Sequence, residues 1–290
     1  MRIVETPQEM RALSESWRAS GEEIGLVPTM GALHEGHLAL VRRARGECGR
    51  VVVSVFVNPT QFGRGEDFET YPRRLRRDRA LLEEEGVDAV FSPTVEAMYG
   101  ERSPDLDSGE RVSVDPGALG ELWEVEVRPG HFRGVATVVA MLFHAALPHR
   151  AYFGEKDYQQ LKVIQKMARE LLLGVEVVGC PTVRDPDGLA MSSRNAYLSP
   201  EERKAALTIP RALEACARLA REGERSAGAL ERAMREVCQE EPLVELQYAA
   251  VVDPETLRPL EEIEGGPARA IIAASVGGTH LIDNAEVRGS

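Results

Sequence analysis

Cysteine is scarce in this chain, and the cysteines present lie far apart. The 290 residues include four, and no two of them form a C-x-x-C pair. Zinc modules depend on closely spaced cysteines, and small disulfide-stapled folds depend on a dense cysteine framework. The sequence therefore indicates neither class of protein, and we expect Cys48, Cys180, Cys216 and Cys238 to be buried thiols.

Long apolar runs and an excess of positive charge are missing as well. No stretch approaches the roughly 20 apolar residues of a membrane-spanning helix, and residues 1–20 mix both charge signs where a signal peptide has an apolar core. The formal net charge of −12 argues against nucleic-acid binding through phosphate neutralisation. We expect a cytoplasmic protein that acts on small molecules, without a membrane or nucleic-acid partner.

The sequence does contain an alternation of strand-length apolar runs with segments of helical periodicity. Strands that alternate with helices form a parallel sheet covered by helices on both faces. The predicted fold class is therefore α/β, a doubly wound, Rossmann-like parallel sheet. The expected strands are 23–29, 50–57, 88–93, 151–154 and 175–180, and the expected helices are 34–48, 72–86, 131–147 and 157–172.

The pattern changes after residue 186, where helices precede strands and indicate a second, smaller α+β domain. A chain of 290 residues also exceeds the usual size of one domain. We predict a catalytic domain over residues 1–186 and a C-terminal lid domain over 187–290, and we expect the polar segment 101–111 to be disordered. The expected elements of the small domain are helices 199–223 and 226–241 and strands 244–253 and 268–284.

Ligands of doubly wound sheets bind in the crevice beyond the carboxyl ends of the strands. The loops that follow the predicted strands hold nearly all the unusual polar residues of this half of the chain. We therefore expect the site to be built from residues 28–37, 58–72, 154–160 and 181–195.

His34 and His37 stand three residues apart in GLVPTMGALHEGHLAL (25–40), directly after a predicted strand. A metal site, a phosphate site and an ordinary amphipathic helix are the competing interpretations. A zinc site of the H-E-x-x-H type needs histidines four apart and a further ligand, and neither accompanies this pair. Gly31 and Gly36 favour phosphate, because they let backbone amides approach a ligand where a helix N-terminus offers unpaired N–H groups.

The same two glycines match the G-x-x-x-x-G spacing of a P-loop. His37 and Leu38, however, occupy the positions where that motif needs lysine and then serine or threonine. The G-x-G-x-x-G fingerprint of dinucleotide-binding folds is absent too. The H-x-G-H signature of nucleotidyl transfer is what remains.

Five sequence blocks together resemble one family. PTMGALHEGHL (28–38) is followed by FVNPTQF (56–62), PGHFRGVATVV (129–139), FGEKDYQQ (153–160) and MSSRN (191–195). In this order and spacing, over the whole chain, they resemble the pantothenate synthetases, pantoate–β-alanine ligases of the H-x-G-H nucleotidylyltransferase superfamily. The resemblance implies an ATP-dependent condensation of pantoate with β-alanine that yields pantothenate, AMP and pyrophosphate through a pantoyl-adenylate.

The resemblance also implies roles in ATP binding and catalysis. His37 would be the proton donor, His34 would support the phosphates, and Lys156 would meet them as a point charge. Val183 would contact the base through its backbone, and Asp157 would serve the ribose. The implied ATP-binding residues are Met30, Gly31, Ala32, Leu33, His34, Glu35, Gly36, His37, Gly154, Glu155, Lys156, Asp157, Val183, Met191, Ser192, Ser193 and Arg194.

The acid substrate would meet neutral hydrogen-bonding side chains. Gln61 and Gln160 match the family's pantoate-binding glutamines, and Gln61 would also bind β-alanine. Asn58 would support this pocket, while Met30 and Phe62 would offer apolar contact to pantoate.

Mg²⁺ is expected to arrive with ATP, and no tightly bound organic cofactor is expected. Asp78 is the candidate metal ligand, in the segment YPRRLRRDRALL, which is more basic than we expect for the family. The resemblance further implies a homodimer. Two other functions stay open from the residues alone: an H-x-G-H nucleotidyltransferase that retains the nucleotide in its product, and a nucleotide-sensing module without activity.

Overall fold

A computed structural model of the chain describes residues 1–63, 65–101, 104–106 and 111–289. The chain divides into two compact units. The larger unit comprises Met1–Glu155 and Gln160–Pro181, and the smaller unit comprises Lys156–Gln159 and Thr182–Ser290. The change of unit thus falls after Pro181 instead of after residue 186, and the assignment of catalytic and lid roles to the two domains stays a prediction.

The larger unit is built on a six-stranded sheet in which every pairing is parallel. This confirms the doubly wound α/β class and all five predicted strands. A sixth strand at the sheet edge was not predicted, because its three residues are too few to show a period. The strands are β1 (Arg2–Val4), β2 (Ile24–Thr29), β3 (Arg50–Val55), β4 (Ala89–Phe91), β5 (Arg150–Gly154) and β6 (Glu176–Cys180), in the order β1-β4-β3-β2-β5-β6.

Helices follow the strands, and the helix His131–Ala146 is buried over nearly its whole surface. The four long helices of the prediction are present, and three others were not predicted. Their bounds are α1 (Pro7–Ala19), α2 (Glu35–Glu47), α3 (Leu75–Glu84), α4 (Val95–Tyr99), α5 (Glu124–Val127), α6 (His131–Ala146) and α7 (Tyr158–Glu170). The start of α1 could have been predicted from its capping residues, since Thr6 caps the helix and Pro7 occupies its first position.

The sheet order places a topological switch point between β2 and β5. Chain connections run outward to β3 and β4 on one side and to β6 on the other. Branched residues of the central strands, such as Val27 and Val53, pack with Val41 of α2 and Leu82 of α3 in one buried cluster. The loops after β2 and β5 therefore leave a rigid core side by side, where doubly wound folds bind their ligands.

The smaller unit combines three helices with an antiparallel sheet in the order β7-β8-β9. Its class agrees with the predicted α+β domain, but the helix predicted over residues 199–223 is broken at Leu207. Pro210 explains the break, because it cannot donate a helical hydrogen bond to the carbonyl four residues earlier. The elements are α8 (Pro200–Ala206), α9 (Thr208–Arg221), α10 (Ala227–Gln239), β7 (Val244–Val252), β8 (Pro267–Val276) and β9 (Thr279–Arg288).

Two further expectations concern disorder and membranes. The segment 101–111 falls largely on residues outside the described ranges. Of the helices described, none combines the length and the apolar character needed to cross a lipid bilayer.

Candidate active site

The turn that follows β2 is held by a buried carboxylate from α3. Asp78 is 1% exposed, and its two oxygens accept hydrogen bonds from the backbone N–H groups of Ala32 and Leu33, at 3.0 and 2.9 Å. Gly31 has φ +83°, and a Cβ there would lie 3.0 Å from Val55 and 3.1 Å from the Asp78 carboxylate. The turn therefore requires glycine at this position.

These hydrogen bonds correct the expectation of unpaired amides at this turn. Sequence reasoning identified a helix N-terminus with free donors, but it missed a carboxylate 45 residues further along the chain that occupies two of them. Most backbone N–H groups of this turn are therefore already hydrogen-bonded within the protein, and its side chains are the main candidates for donation to a ligand. The N–H groups that donate to acceptors inside the protein include those of Gly31, Ala32, Leu33, His34, Gly36 and His37.

His34 and His37 form a reciprocal cap at the start of α2. His34 Nδ1 accepts from the Gly36 N–H at 3.2 Å, and His37 Nδ1 accepts from the His34 N–H at 3.3 Å. The two ring centroids lie 4.0 Å apart. A neutral imidazole whose Nδ1 accepts a hydrogen bond carries its proton on Nε2. Local geometry therefore makes both histidines Nε2–H donors, which is the tautomer that a phosphate oxygen needs.

Gln61 lies in the 3₁₀ turn Pro59–Gln61 after β3, and Asn58 orients its side chain. Asn58 is 1% exposed; its Nδ2 donates to Gln61 Oε1 at 3.2 Å, and its Oδ1 accepts from the Tyr99 hydroxyl at 2.7 Å. Because Oε1 faces Asn58, the Gln61 NH₂ group lies 3.0 Å from Met30 Sδ. The structure thus brings together three of the four residues predicted to bind pantoate.

The backbone of Gln61 is clamped by residues at the start of α6. His131 Nδ1 donates to the Gln61 carbonyl at 2.8 Å, and Arg128 donates to the same oxygen at 3.2 Å. Burial and the charge of Arg128 lower the pKa of His131 to about 4, so the ring is a neutral Nδ1–H donor at physiological pH. Arg128 in turn pairs with Glu66 at 2.7 Å. The sequence analysis did not identify this contact, although His131 lies in the block PGHFRGVATVV (129–139).

Lys156 belongs to the smaller unit, where buried polar side chains of the sheet hold its backbone. Asn284 on β9 is 4% exposed; its Nδ2 donates to the Lys156 carbonyl at 2.9 Å, and its Oδ1 accepts from Arg269 Nε at 2.7 Å. The Arg269 guanidinium lies 4.1 Å from the centre of the Tyr158 ring. Sequence reasoning missed Asn284 and Arg269, although polar residues inside apolar strands were an available signal.

A hairpin carries the nucleotide contacts predicted between residues 183 and 194. The Met191 N–H donates to the Val183 carbonyl at 3.0 Å. Arg184 anchors the hairpin to β9 through two hydrogen bonds to the buried Asp283 carboxylate, at 2.6 and 3.0 Å. The Arg184–Asp283 contact therefore fixes the start of this loop on β9 within the smaller unit.

The structure gives the location of several other predicted site residues within a strand, a helix or a turn. Their contacts to ligands stay predictions. Gly154 ends β5 beside the switch point, and Gln160 lies in the first turn of α7. Lys156 Nζ lies 3.6 Å from Asp157. Ser192 accepts from the Arg194 N–H at 3.3 Å and caps the 3₁₀ turn that follows it.

Within the described ranges, no group of three or more His, Cys, Asp and Glu side chains is arranged to hold a metal ion. The role of Asp78 as a Mg²⁺ ligand stays a prediction, beside the turn-holding role that its hydrogen bonds show. All four cysteines are buried and free, as expected.

Comparisons with known proteins agree over nearly the whole chain. A family model described as pantoate-beta-alanine ligase matches residues 2–286. A pantothenate synthetase of Rubrobacter xylanophilus is 71% identical over 98% of this chain and 97% of its own length, and one of Thermus thermophilus is 56% identical over 99% of both.

Solved structures give the same result. A crystal structure of pantothenate synthetase from Thermus thermophilus has a TM-score of 0.90 at 53% identity, covering 99% of this chain and 100% of that chain. A pantoate-beta-alanine ligase from Francisella tularensis, complexed with beta-gamma ATP and beta-alanine, has a TM-score of 0.79 at 31% identity, covering 98% of this chain and 97% of that chain.

Proposed function

The chain belongs to the pantoate–β-alanine ligase family and condenses pantoate with β-alanine at the expense of ATP, and we propose that the turn after β2 and the 3₁₀ turn after β3 supply its reacting groups. The observation that carries this assignment is the pair of Nε2–H donors fixed by the reciprocal cap of His34 and His37. They lie beyond the carboxyl end of a strand at the switch point, the expected place for a nucleotide.

The reaction makes two demands on the site. A pantoate carboxylate oxygen first attacks the α-phosphorus of ATP, and the bond to pyrophosphate breaks. The β-alanine amine then attacks the acyl carbon, the bond to AMP breaks, and the amine nitrogen loses a proton. Charge shifts among the phosphate oxygens in the first step, so fixed donors that meet the developing charge lower the barrier. We assign this role to His34 and His37, with His37 as the proton donor to a phosphate oxygen on which negative charge develops.

We propose that the other nucleotide contacts come from the two remaining sequence blocks. Gly154 to Asp157 would meet ATP, with Lys156 on the phosphates, and Val183 with Met191 to Arg194 would complete the binding set. The support is their match to FGEKD and MSSRN, together with the anchored backbones at Lys156 and Val183.

We place pantoate and β-alanine beside Gln61. Its NH₂ group is held toward Met30 and can donate to a substrate carboxylate or hydroxyl, while the thioether offers apolar contact. Gln160 joins this pocket by resemblance. The clamp on the Gln61 carbonyl and the Asn58 contact together restrict the position from which this donor acts.

Gly134→Ala is expected to displace this pocket. A Cβ at Gly134 would lie 2.1 Å from the Thr60 carbonyl oxygen and 2.8 Å from the Gln61 nitrogen, so the 3₁₀ turn must move. We expect a stability loss of about 1–3 kcal/mol and a higher KM for pantoate. Gly46→Ala in α2, where a Cβ meets nothing within 4 Å, is the control and should stabilise by up to about 1 kcal/mol. Equal pantoate KM values in the two variants would contradict the placement.

Mg²⁺ is proposed to enter with ATP and to neutralise phosphate charge there. The described residues lack a cluster of acidic ligands, and Asp78 already receives two backbone hydrogen bonds. These observations suit an ion that keeps most of its water and phosphate ligands, and Asp78 stays the candidate protein ligand.

We further propose a cytoplasmic homodimer. Four free, buried thiols suit a reducing compartment, and dimerisation is inferred from the family resemblance. Light scattering of the purified protein would measure the mass of the particle directly, and a mass of one chain would reject the dimer.

The reaction is tested by isotope exchange. We expect labelled pyrophosphate to enter ATP only when pantoate is present, and subsequent β-alanine to release AMP and an amide. Exchange that needs no pantoate, or a product that retains the nucleotide, would contradict the pantoyl-adenylate mechanism.

A further inference from the structure

Helix α3 begins with arginines that the proposed chemistry does not use. Arg74, Arg76 and Arg77 are exposed, and their guanidinium groups make no hydrogen bond or ion pair within the described parts of the chain. Arg42 and Arg45 of α2, by contrast, pair with carboxylates. Within the described residues, the three guanidinium groups therefore form no polar contact that stabilises the fold.

Helix electrostatics opposes this arrangement. The first turn of a helix carries partial positive charge, which disfavours cations there, and Arg74 provides no side-chain cap. The whole chain has a net charge of −12, so the run of arginines does not reflect a generally basic protein. Residues that break a local rule without a structural gain are typical of functional positions.

Helical geometry separates the three arginines into two sets. Residues four apart share a face, and side chains lean toward the helix N-terminus. Arg74 stands one turn before Asp78, whose carboxylate contacts the turn after β2. Arg77 stands one turn before Leu81, which packs on the core. Arg76 lies on the outer face, since the residue one turn later is exposed.

The buried carboxylate of Asp78 places a negative charge directly beneath the turn that, under the proposed function, meets ATP. Such a charge opposes the binding of a polyanion, and a nearby cation would offset it. We propose that Arg74 and Arg77 bind the phosphates of incoming ATP at the mouth of this turn, without a role for Arg76. Guanidinium groups suit this task because they donate in a fork to phosphate oxygens. The inference rests on ATP binding at the His34 and His37 turn.

The test compares R74Q/R77Q with R76Q/R232Q, which removes the same charge from the outer face and from an exposed position on α10. Steady-state kinetics at several salt concentrations and thermal unfolding are measured for both. We expect R74Q/R77Q to raise the KM for ATP about 3- to 30-fold, to leave kcat and the KM for pantoate unchanged, and to flatten the salt dependence of kcat/KM. The control should stay within about twofold of the parent.

Stability distinguishes binding from a structural role. Removing cations from a helix N-terminus should keep or raise the thermal midpoint of R74Q/R77Q, so a variant that binds ATP less well yet is equally or more stable supports the proposal. A lower midpoint with the same loss, or equal KM changes in both variants, overturns it. If pantoate-dependent exchange is absent in the parent, the proposed function fails; normal exchange with an unchanged KM for ATP in R74Q/R77Q rejects the arginine role alone.

Discussion

Replacing His37 by alanine is expected to lower kcat by about 10² to 10⁴, the usual effect of losing a group that donates a proton in the transition state. The side chain is a fixed Nε2–H donor because its Nδ1 accepts from the His34 N–H. Alanine removes both the donor and this cap. The cap is a single hydrogen bond, whose loss costs about 0.5–1.5 kcal/mol, so the fold should persist.

The measurement is the rate of pantoate-dependent pyrophosphate exchange, with circular dichroism to confirm folding. His144→Ala is the matched control. Among the described contacts, the His144 imidazole donates one hydrogen bond, to the Ala140 carbonyl of its own helix. We expect normal exchange from the control. A near-normal rate from His37→Ala would remove this residue from the chemistry.

Asp78→Asn is expected to damage both stability and ATP use. An amide offers one oxygen where the carboxylate offers two, so its NH₂ faces the N–H of Ala32 or Leu33 and leaves that donor without an acceptor. A buried group in this state costs about 1–3 kcal/mol. Displacement of the turn by as little as about 1 Å lowers catalytic efficiency by about 10²-fold, and we expect kcat/KM for ATP to fall by this amount.

Two comparisons separate the turn-holding role of Asp78 from a metal-binding one. Asp88→Asn also removes a partly buried carboxylate that holds a backbone group, because Asp88 accepts from the Val51 N–H at 2.9 Å, but Asp88 lies at the amino end of β4, away from the turn after β2. It should lower stability while preserving kcat/KM for ATP. Raising the Mg²⁺ concentration should not rescue Asp78→Asn; recovery at high Mg²⁺ would identify the carboxylate as a metal ligand instead.

Much of the architecture was predictable because it rests on local regularities. The β-branched run of β3 and the helical spacing of α2 each carry a period long enough to identify. β1 has only three residues, and it gains stability from pairing with β4, whose residues lie 87 positions later in the chain. A period cannot reveal a strand that exists because of a distant partner.

The break between α8 and α9 was missed for a different reason. Apolar spacing continues across Leu207, so the periodicity predicted one helix, although Pro210 marked the point where the hydrogen-bond ladder fails. Pro210 was therefore a better guide to the end of this helix than the apolar spacing.

The residue types that we propose for the site, and their positions along the chain, could be predicted from local sequence. His34, His37 and Gln61 follow β2 and β3, and parallel strands deliver such loops to one edge of the sheet. The orientation of these groups, by contrast, depends on contacts between distant parts of the chain. Asp78, His131 and Asn284 form hydrogen bonds with backbone atoms at least 45 residues away. Almost every residue carries the same backbone N–H and C=O groups, so residue types do not show which of these groups will be bonded. The candidate residues could therefore be identified from local sequence, whereas the orientation of each donor depends on contacts that exist only once the chain has folded.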